Sequence, residues 1–320
     1  MADALNNDFM CYKCFSIFAQ STSTPMVIGT HFNKMKKYFL RFSLLASAIF
    51  IVVLSSCGPE GQEDGSTTGA DSSAISADAS KDTVSDAQNF FYSLPSPLMM
   101  AKVFKKTGLK YVDGVANSPD NISKYTSGHI KTLNLGVYSS DLAYTVLNKQ
   151  SQQASRYMEA VKKLSDDLGM SSMFASDDYL ARFKNNLSNE DSLINIVCQL
   201  KSEMDMFMND NEKEKQTLLI FTGAWIENMY IATQLTKEAN KEKVAMRIAE
   251  QKHILNSLMN IITNYQNDEE MKGLFLKLND LKTLFDNLTV KGDDDSITMD
   301  ELQLKAITEK TRDLRKEITG

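Results

Sequence analysis

An all-α fold is what the sequence predicts: an antiparallel bundle or array of about seven to nine helices after a disordered tether. Three observations carry it. From residue 90 onward, apolar residues recur at three- and four-residue spacing with no convincing alternation of period two. Short polar turns separate the periodic segments, and short connections favour antiparallel neighbours. The helical segments differ in length and share no motif, which argues against a regular repeat protein.

Taken in order, Pro97 suits the first turn of a helix over 98–107, and Gly108 closes it. Ser118-Pro119-Asp120 opens a short piece. Between 130 and 168, Leu135, Tyr138, Leu142 and Val146 are followed by Tyr157, Val161, Leu164 and Leu168. This predicts one long helix or two in line, ended by Gly169. Segments 177–187 and 191–208 come next. Residues 212–236 carry two adjacent apolar stripes, Leu218, Thr222, Trp225, Met229 and Ala232 beside Leu219, Ile226 and Tyr230, so this helix is expected at the bundle centre. Gly223 within it costs about 1 kcal/mol relative to Ala, which points to close approach by another helix. Segments 243–267, 269–288 and 298–317 complete the array, the last with Thr298 as N-cap and Glu301 three residues on. The methionines at 99, 100, 170, 173, 204, 206 and 208 read as core filler, with an adaptable binding face as the alternative.

The stretch 35–57 sets the compartment. Lys36, Lys37 and Arg41 precede an uncharged run of thirteen residues, 42–54. As a helix that run spans about 20 Å, short of the roughly 30 Å hydrocarbon core, so it reads as a secretory signal. Leu54-Ser55-Ser56-Cys57 resembles the lipobox of bacterial lipoproteins. The resemblance implies cleavage between Ser56 and Cys57, lipidation of Cys57, and attachment to the membrane through its acyl chains. Each buried methylene then contributes about 0.8 kcal/mol. An uncleaved signal anchor is the alternative. Translation is expected to start at Met35, with 1–34 an over-long extension and 35–56 the signal peptide. The pair Cys11 and Cys14 falls in that extension, with no second pair beside it to complete a zinc site.

Residues 57–89 form the expected tether: glycine, serine, threonine and acidic residues, with Ile75 and Val84 nearly alone among large apolar side chains. Glu60, Glu63 and Asp64 resemble the acidic surface-export signal of Bacteroidota lipoproteins, interrupted here by Pro59, Gly61 and Gly58. A periplasm-facing outer-membrane protein is therefore the first expectation, and surface display the second. The whole chain holds 35 basic and 41 acidic residues, of which five and two lie in the first 56. The remainder carries 30 against 39, a net charge of −9, which argues against nucleic-acid binding. Beyond residue 56 the cysteines are Cys57 and Cys198, so no intrachain disulfide is expected once Cys57 is lipidated.

Candidate chemistry in the domain, 90–320, is thin. Asp293, Asp295 and Glu301 lie in a loop matching the second half of an EF-hand but lacking its leading ligands and glycine, a weak calcium candidate. His129 and His253 have no partner at ligand spacing. Cys198 sits in an apolar run and reads as a small buried hydrophobe. No nucleophile elbow, phosphate loop or paired-carboxylate motif is present. The stretches 136–144 and 223–230 resemble helical lipoproteins of Bacteroidota, a likeness that brings no activity. Tyr138, Asp141, Tyr144, Trp225, Glu227 and Tyr230 are the candidate pocket, with helix packing as the plainer account. The expected function is a non-enzymatic binding or scaffolding module at the cell envelope, with an envelope protein as partner and no cofactor. A small-molecule-binding lipoprotein with a pocket near Trp225 is the alternative, and an enzyme of unfamiliar design comes third.

Overall fold

The computed structural model describes residues 94–320 apart from 175–177, 212, 238–239 and 292–295. The signal segment, Ser56, Cys57 and the expected tether lie outside these, as do Asp293 and Asp295. The all-α expectation holds: ten α-helices are found among the described residues. None of them is long and apolar enough to cross a membrane.

Helix α1 spans Pro97–Lys105, with the Ser96 side chain accepting from the Met99 amide and Pro97 in the first turn. Gly108, at φ +93°, supplies the left-handed residue that ends it. An irregular strap, 109–117, then leads to a 3-10 turn, Pro119–Lys124. Helix α2 covers Gly128–Leu147 and is capped by Ser127.

Where one long helix or two in line were expected, the chain reverses. Lys149 adopts φ 59°, and the Gln150 amide donates back to the Thr145 carbonyl at 2.9 Å. This is the closure usually built on glycine, so the sequence carries no obvious stop at this point. Helix α3, Ser151–Asp167, folds back along α2, and Lys131 near the start of α2 pairs with Asp167 at the end of α3 (2.9 Å). Gly169, at φ +73°, ends α3 as expected.

Helices α4 (Tyr179–Asn185), α5 (Glu190–Asp210) and α6 (Glu214–Gln234) follow, then α7 (Lys241–Ala249) and α8 (Gln251–Ile262), which meet at Glu250. Helix α9 is Lys272–Asp286 and α10 is Glu301–Thr319. Between them lies an antiparallel pair of three-residue strands, β1 (Thr289–Lys291) and β2 (Ser296–Thr298), paired Val290 with Ile297. Strands this short have no room to display alternation, and Ile297 is buried in the core. The capping of α10 also differs from expectation. Thr298 is part of β2, and Asp300 is the N-cap, exchanging reciprocal bonds with Gln303 (2.8 and 2.9 Å).

Two helices organise the domain. Helix α6 is buried nearly all round, as its double stripe predicts, and α2 is buried to the same extent from Thr132 to Leu147 apart from Ser139. One apolar cluster gathers Leu133, Val137 and Tyr144 of α2 with Trp225, Ile226 and Met229 of α6 and the inner faces of α7 to α10. The other gathers Leu135, Tyr138 and Leu142 with α3, α4 and α5. Met100, Met170, Met173, Met204 and Met208 are buried in these cores, whereas Met206 is exposed.

Candidate functional site

Helices α2 and α6 cross at backbone contact. A Cβ on Gly136 would stand 1.9 Å from the Ile220 carbonyl oxygen, and one on Gly223 would stand 2.0 Å from that of Leu133. One turn further along, Ser140 donates to the Ala224 carbonyl (2.9 Å) and Asn228 donates to the Ser140 hydroxyl (2.7 Å). Contacts therefore climb both helices together, so α2 and α6 run in the same direction with three helices between them in the chain. Close approach also means that polar side chains beside the crossing are shut off from water.

Asp141 and Glu227 are such side chains, both fully buried. Arg315 of α10 reaches them from the far end of the chain. Its Nε donates to Glu227 Oε2 at 3.0 Å and its Nη2 to Oε1 at 3.2 Å, a two-point clamp. Behind the clamp, the guanidinium lies 4.5 Å from the centre of the Tyr230 ring. Asp141 Oδ2 accepts from the Asn117 amide (3.1 Å), whereas Oδ1 is buried and receives no donor.

The two carboxyls contact one another, and such a contact is a hydrogen bond only when one of them is protonated. Burial, then the charge of Glu227, pushes Asp141 well above the ordinary carboxylate range, with Arg315 opposing. Burial pushes Glu227 up as well, and Arg315, its direct partner, opposes that rise. The arrangement sets two buried carboxyls from two helices against one guanidinium.

Further polar groups complete the surroundings. Asn117 donates through its side chain to the Tyr125 hydroxyl (2.8 Å), and Asn134 donates to the Ile318 carbonyl (2.8 Å), tying α10 to α2. The chain matches no family model, no curated protein and no solved structure.

Of the candidate pocket residues, the structure brings Asp141, Glu227 and Tyr230 together around Arg315. Tyr138, one turn before Asp141 on α2, donates its hydroxyl to the Ser118 carbonyl (2.8 Å). The Tyr144 hydroxyl accepts from the Val112 amide (2.8 Å) and its ring stacks on Tyr111 (5.3 Å). Trp225 points away, fully buried, with its indole N–H donating to Gln251 Oε1 at 3.1 Å. Each of these three side chains is engaged by a different part of the fold, and they line no common cleft beside Trp225. A void of about 20 Å³, room for a single water, borders Tyr144 and Asn228. Arg315, Asn117 and Asn134 are the participants that sequence reading missed. An arginine beside Leu314 on an amphipathic helix looks like any surface residue.

A larger concavity, about 230 Å³, opens at the other end of the crossing pair. Its floor is Leu168, Met170, Met208 and Leu219, and His129, Lys213 and Gln216 stand around it. His129 Nδ1 is buried without a partner, and burial holds the ring below the usual histidine range. Lys215 at the rim is paired with Asp268 and Glu270 (2.8 and 2.9 Å). Elsewhere, His253 is exposed and Cys198 is half-buried against Leu98, Ala101, Ala143 and Leu147. Glu301, the described member of the calcium candidate, pairs with Lys241 at 2.6 Å. Among the described residues no three His, Cys, Asp or Glu side chains converge as metal ligands.

Proposed function

We propose that the chain is a lipid-anchored protein of the cell envelope, held at the outer membrane by acyl groups on Cys57 and facing the periplasm. Its helical domain serves as a non-enzymatic binding or scaffolding module. The observation that carries the reading is the order basic flank, thirteen-residue apolar run and Leu-Ser-Ser-Cys across 35–57, which resembles a bacterial lipoprotein signal. The character of the Asp141–Glu227–Arg315 cluster supports the second half: it joins α2, α6 and α10 deep in the fold, as expected of a part that holds helices together.

Metabolic labelling with a clickable palmitate tests the anchor. The wild-type chain is expected to label and to fractionate with outer membrane, and Cys57→Ala to do neither. Equal labelling of both overturns the reading.

One observation favours a small-molecule-binding lipoprotein as the second reading. The concavity beside His129 combines an apolar floor with a polar margin, the usual make-up of a ligand site. Screening by chemical-shift perturbation discriminates, because a ligand there moves the Met170 and Met208 methyl signals, whereas a pure scaffold shows none moving.

A further inference from the structure

We propose that Asp141 and Glu227 form a proton-binding site that retains one proton at neutral pH, and that releasing this proton loosens the 109–117 strap. The proposal does not depend on where the chain is anchored. It stands first on stoichiometry: two fully buried carboxyls from two helices have a single guanidinium between them, which is clamped on Glu227, and Asp141 Oδ1 lacks any donor. A proton on Asp141 turns that orphaned acceptor into a donor to Glu227 and cancels the excess charge. The rise in proton affinity of both acids on burial is consistent with this.

The groups facing the pair come from every element around it. Helix α10 supplies Arg315, α6 supplies Tyr230, and α2 supplies Tyr138 and Tyr144. Tyr157 of α3 and Tyr125 ahead of α2 also feel its charge. Burial raises the proton affinity of Tyr125, Tyr138, Tyr144 and Tyr157, which keeps them neutral. Among the described residues Arg315 is thus the one cation acting on the pair, and it is already committed to Glu227.

Loss of the proton leaves two negative charges against one positive in a dry interior, and water must reach them to relieve the cost. Helices α2 and α6 cannot part without breaking the glycine crossing, and α10 is tied to them by the Arg315 clamp on Glu227 and by Asn134 on the Ile318 carbonyl. The strap is the cover with no regular structure of its own. It is fastened by the Val112 amide on Tyr144, the Asn117 amide on Asp141, the Asn117 side chain on Tyr125 and the stack of Tyr111 on Tyr144. One of these four ties ends on the titrating pair itself and the other three end on tyrosines that feel its charge, so the strap is the element that yields.

Infrared difference spectroscopy of the full chain in heavy water tests the site, because a protonated carboxylic acid absorbs apart from the amide band. One such band is expected at pH 7. Both Asp141→Asn and Glu227→Gln should abolish it, since each leaves one acid for one guanidinium. Hydrogen exchange of the 109–117 peptide is read beside Asp141→Asn at each pH, which cancels the intrinsic pH dependence. The wild-type strap is expected to exchange several-fold faster than the variant once the band has titrated away, with a shared midpoint. Absence of the band at pH 7, its survival in either variant, or strap exchange that ignores its loss would each overturn the proposal. If a variant does not fold, coincidence of the two wild-type midpoints decides.

Discussion

Arg315 and Glu227, 88 residues apart, form a two-point ion pair in which the glutamate is fully buried and the arginine side chain only 15 % exposed. Taking two charges out of water is costly, and their attraction roughly offsets that cost, so the pair's net contribution is small. Removing one partner is another matter, because the survivor stays buried and uncompensated. Arg315→Ala is therefore expected to cost about 3–5 kcal/mol in urea unfolding at pH 7. Arg315→Lys should recover only part of this, since an ammonium cannot span both oxygens. Loss below 1 kcal/mol for the alanine variant would show that the pair is not held as described.

The glycine crossing makes an opposite prediction for three substitutions of identical chemistry. Gly→Ala in a helix normally stabilises by about 0.5–1 kcal/mol. Gly273, in α9, has nothing within 4 Å of an added Cβ, so Gly273→Ala should follow that rule. At Gly136 and Gly223 the obstacle is backbone carbonyl of the neighbouring helix, which no rotamer change can clear. Gly136→Ala and Gly223→Ala should each destabilise by about 1–3 kcal/mol or prevent folding. Melting temperatures of the three variants provide the check, and a uniform sign across them would refute the close crossing.

Much of this architecture is legible in the sequence because helical burial writes itself into spacing. The double stripe on α6 marks a centre, and Gly223 in mid-helix marks contact. Asp141 and Glu227 are visible as acids set into apolar stripes, Tyr138–Leu142 and Ile226–Tyr230. Their partner is not, because nothing local distinguishes Arg315 from Arg312, which is exposed on the same helix. Pairing across 88 residues is a property of how α2, α6 and α10 stack, and it leaves no trace in periodicity. The reversal at Lys149 is hidden for a different reason: left-handed turns are usually marked by glycine, and here the position is a lysine whose turn is closed by the Gln150 amide on the Thr145 carbonyl.

Trp225, the chain's one tryptophan, reports on the α6–α8 contact. Its indole N–H donates to Gln251 Oε1, and the ring has no exposed surface. Emission is therefore expected to be blue-shifted and inaccessible to iodide in the folded protein. Gln251→Leu keeps the volume but leaves the N–H buried without an acceptor, at a cost of about 1–3 kcal/mol. Denaturation followed through Trp225 itself measures this, and an unchanged midpoint would mean that the hydrogen bond contributes nothing.

Stability should also depend on pH through Asp141, with a definite sign. In the unfolded chain this carboxyl titrates at its ordinary value, about 3.9. In the fold, burial and the neighbouring Glu227 charge raise it well above that. Between the two values the folded state binds more protons than the unfolded state, so stability falls as pH rises. The contribution is fully present below the unfolded value and is lost as pH climbs through the folded one. Asp141→Asn carries a neutral side chain at every pH, can still accept from the Asn117 amide, and removes this slope. The melting temperature of wild type minus that of Asp141→Asn is thus expected to be highest near pH 4 and to decline as pH is raised. A difference that stays flat or grows with pH would mean that Asp141 is ionised in the fold, with Arg315 serving both acids at once.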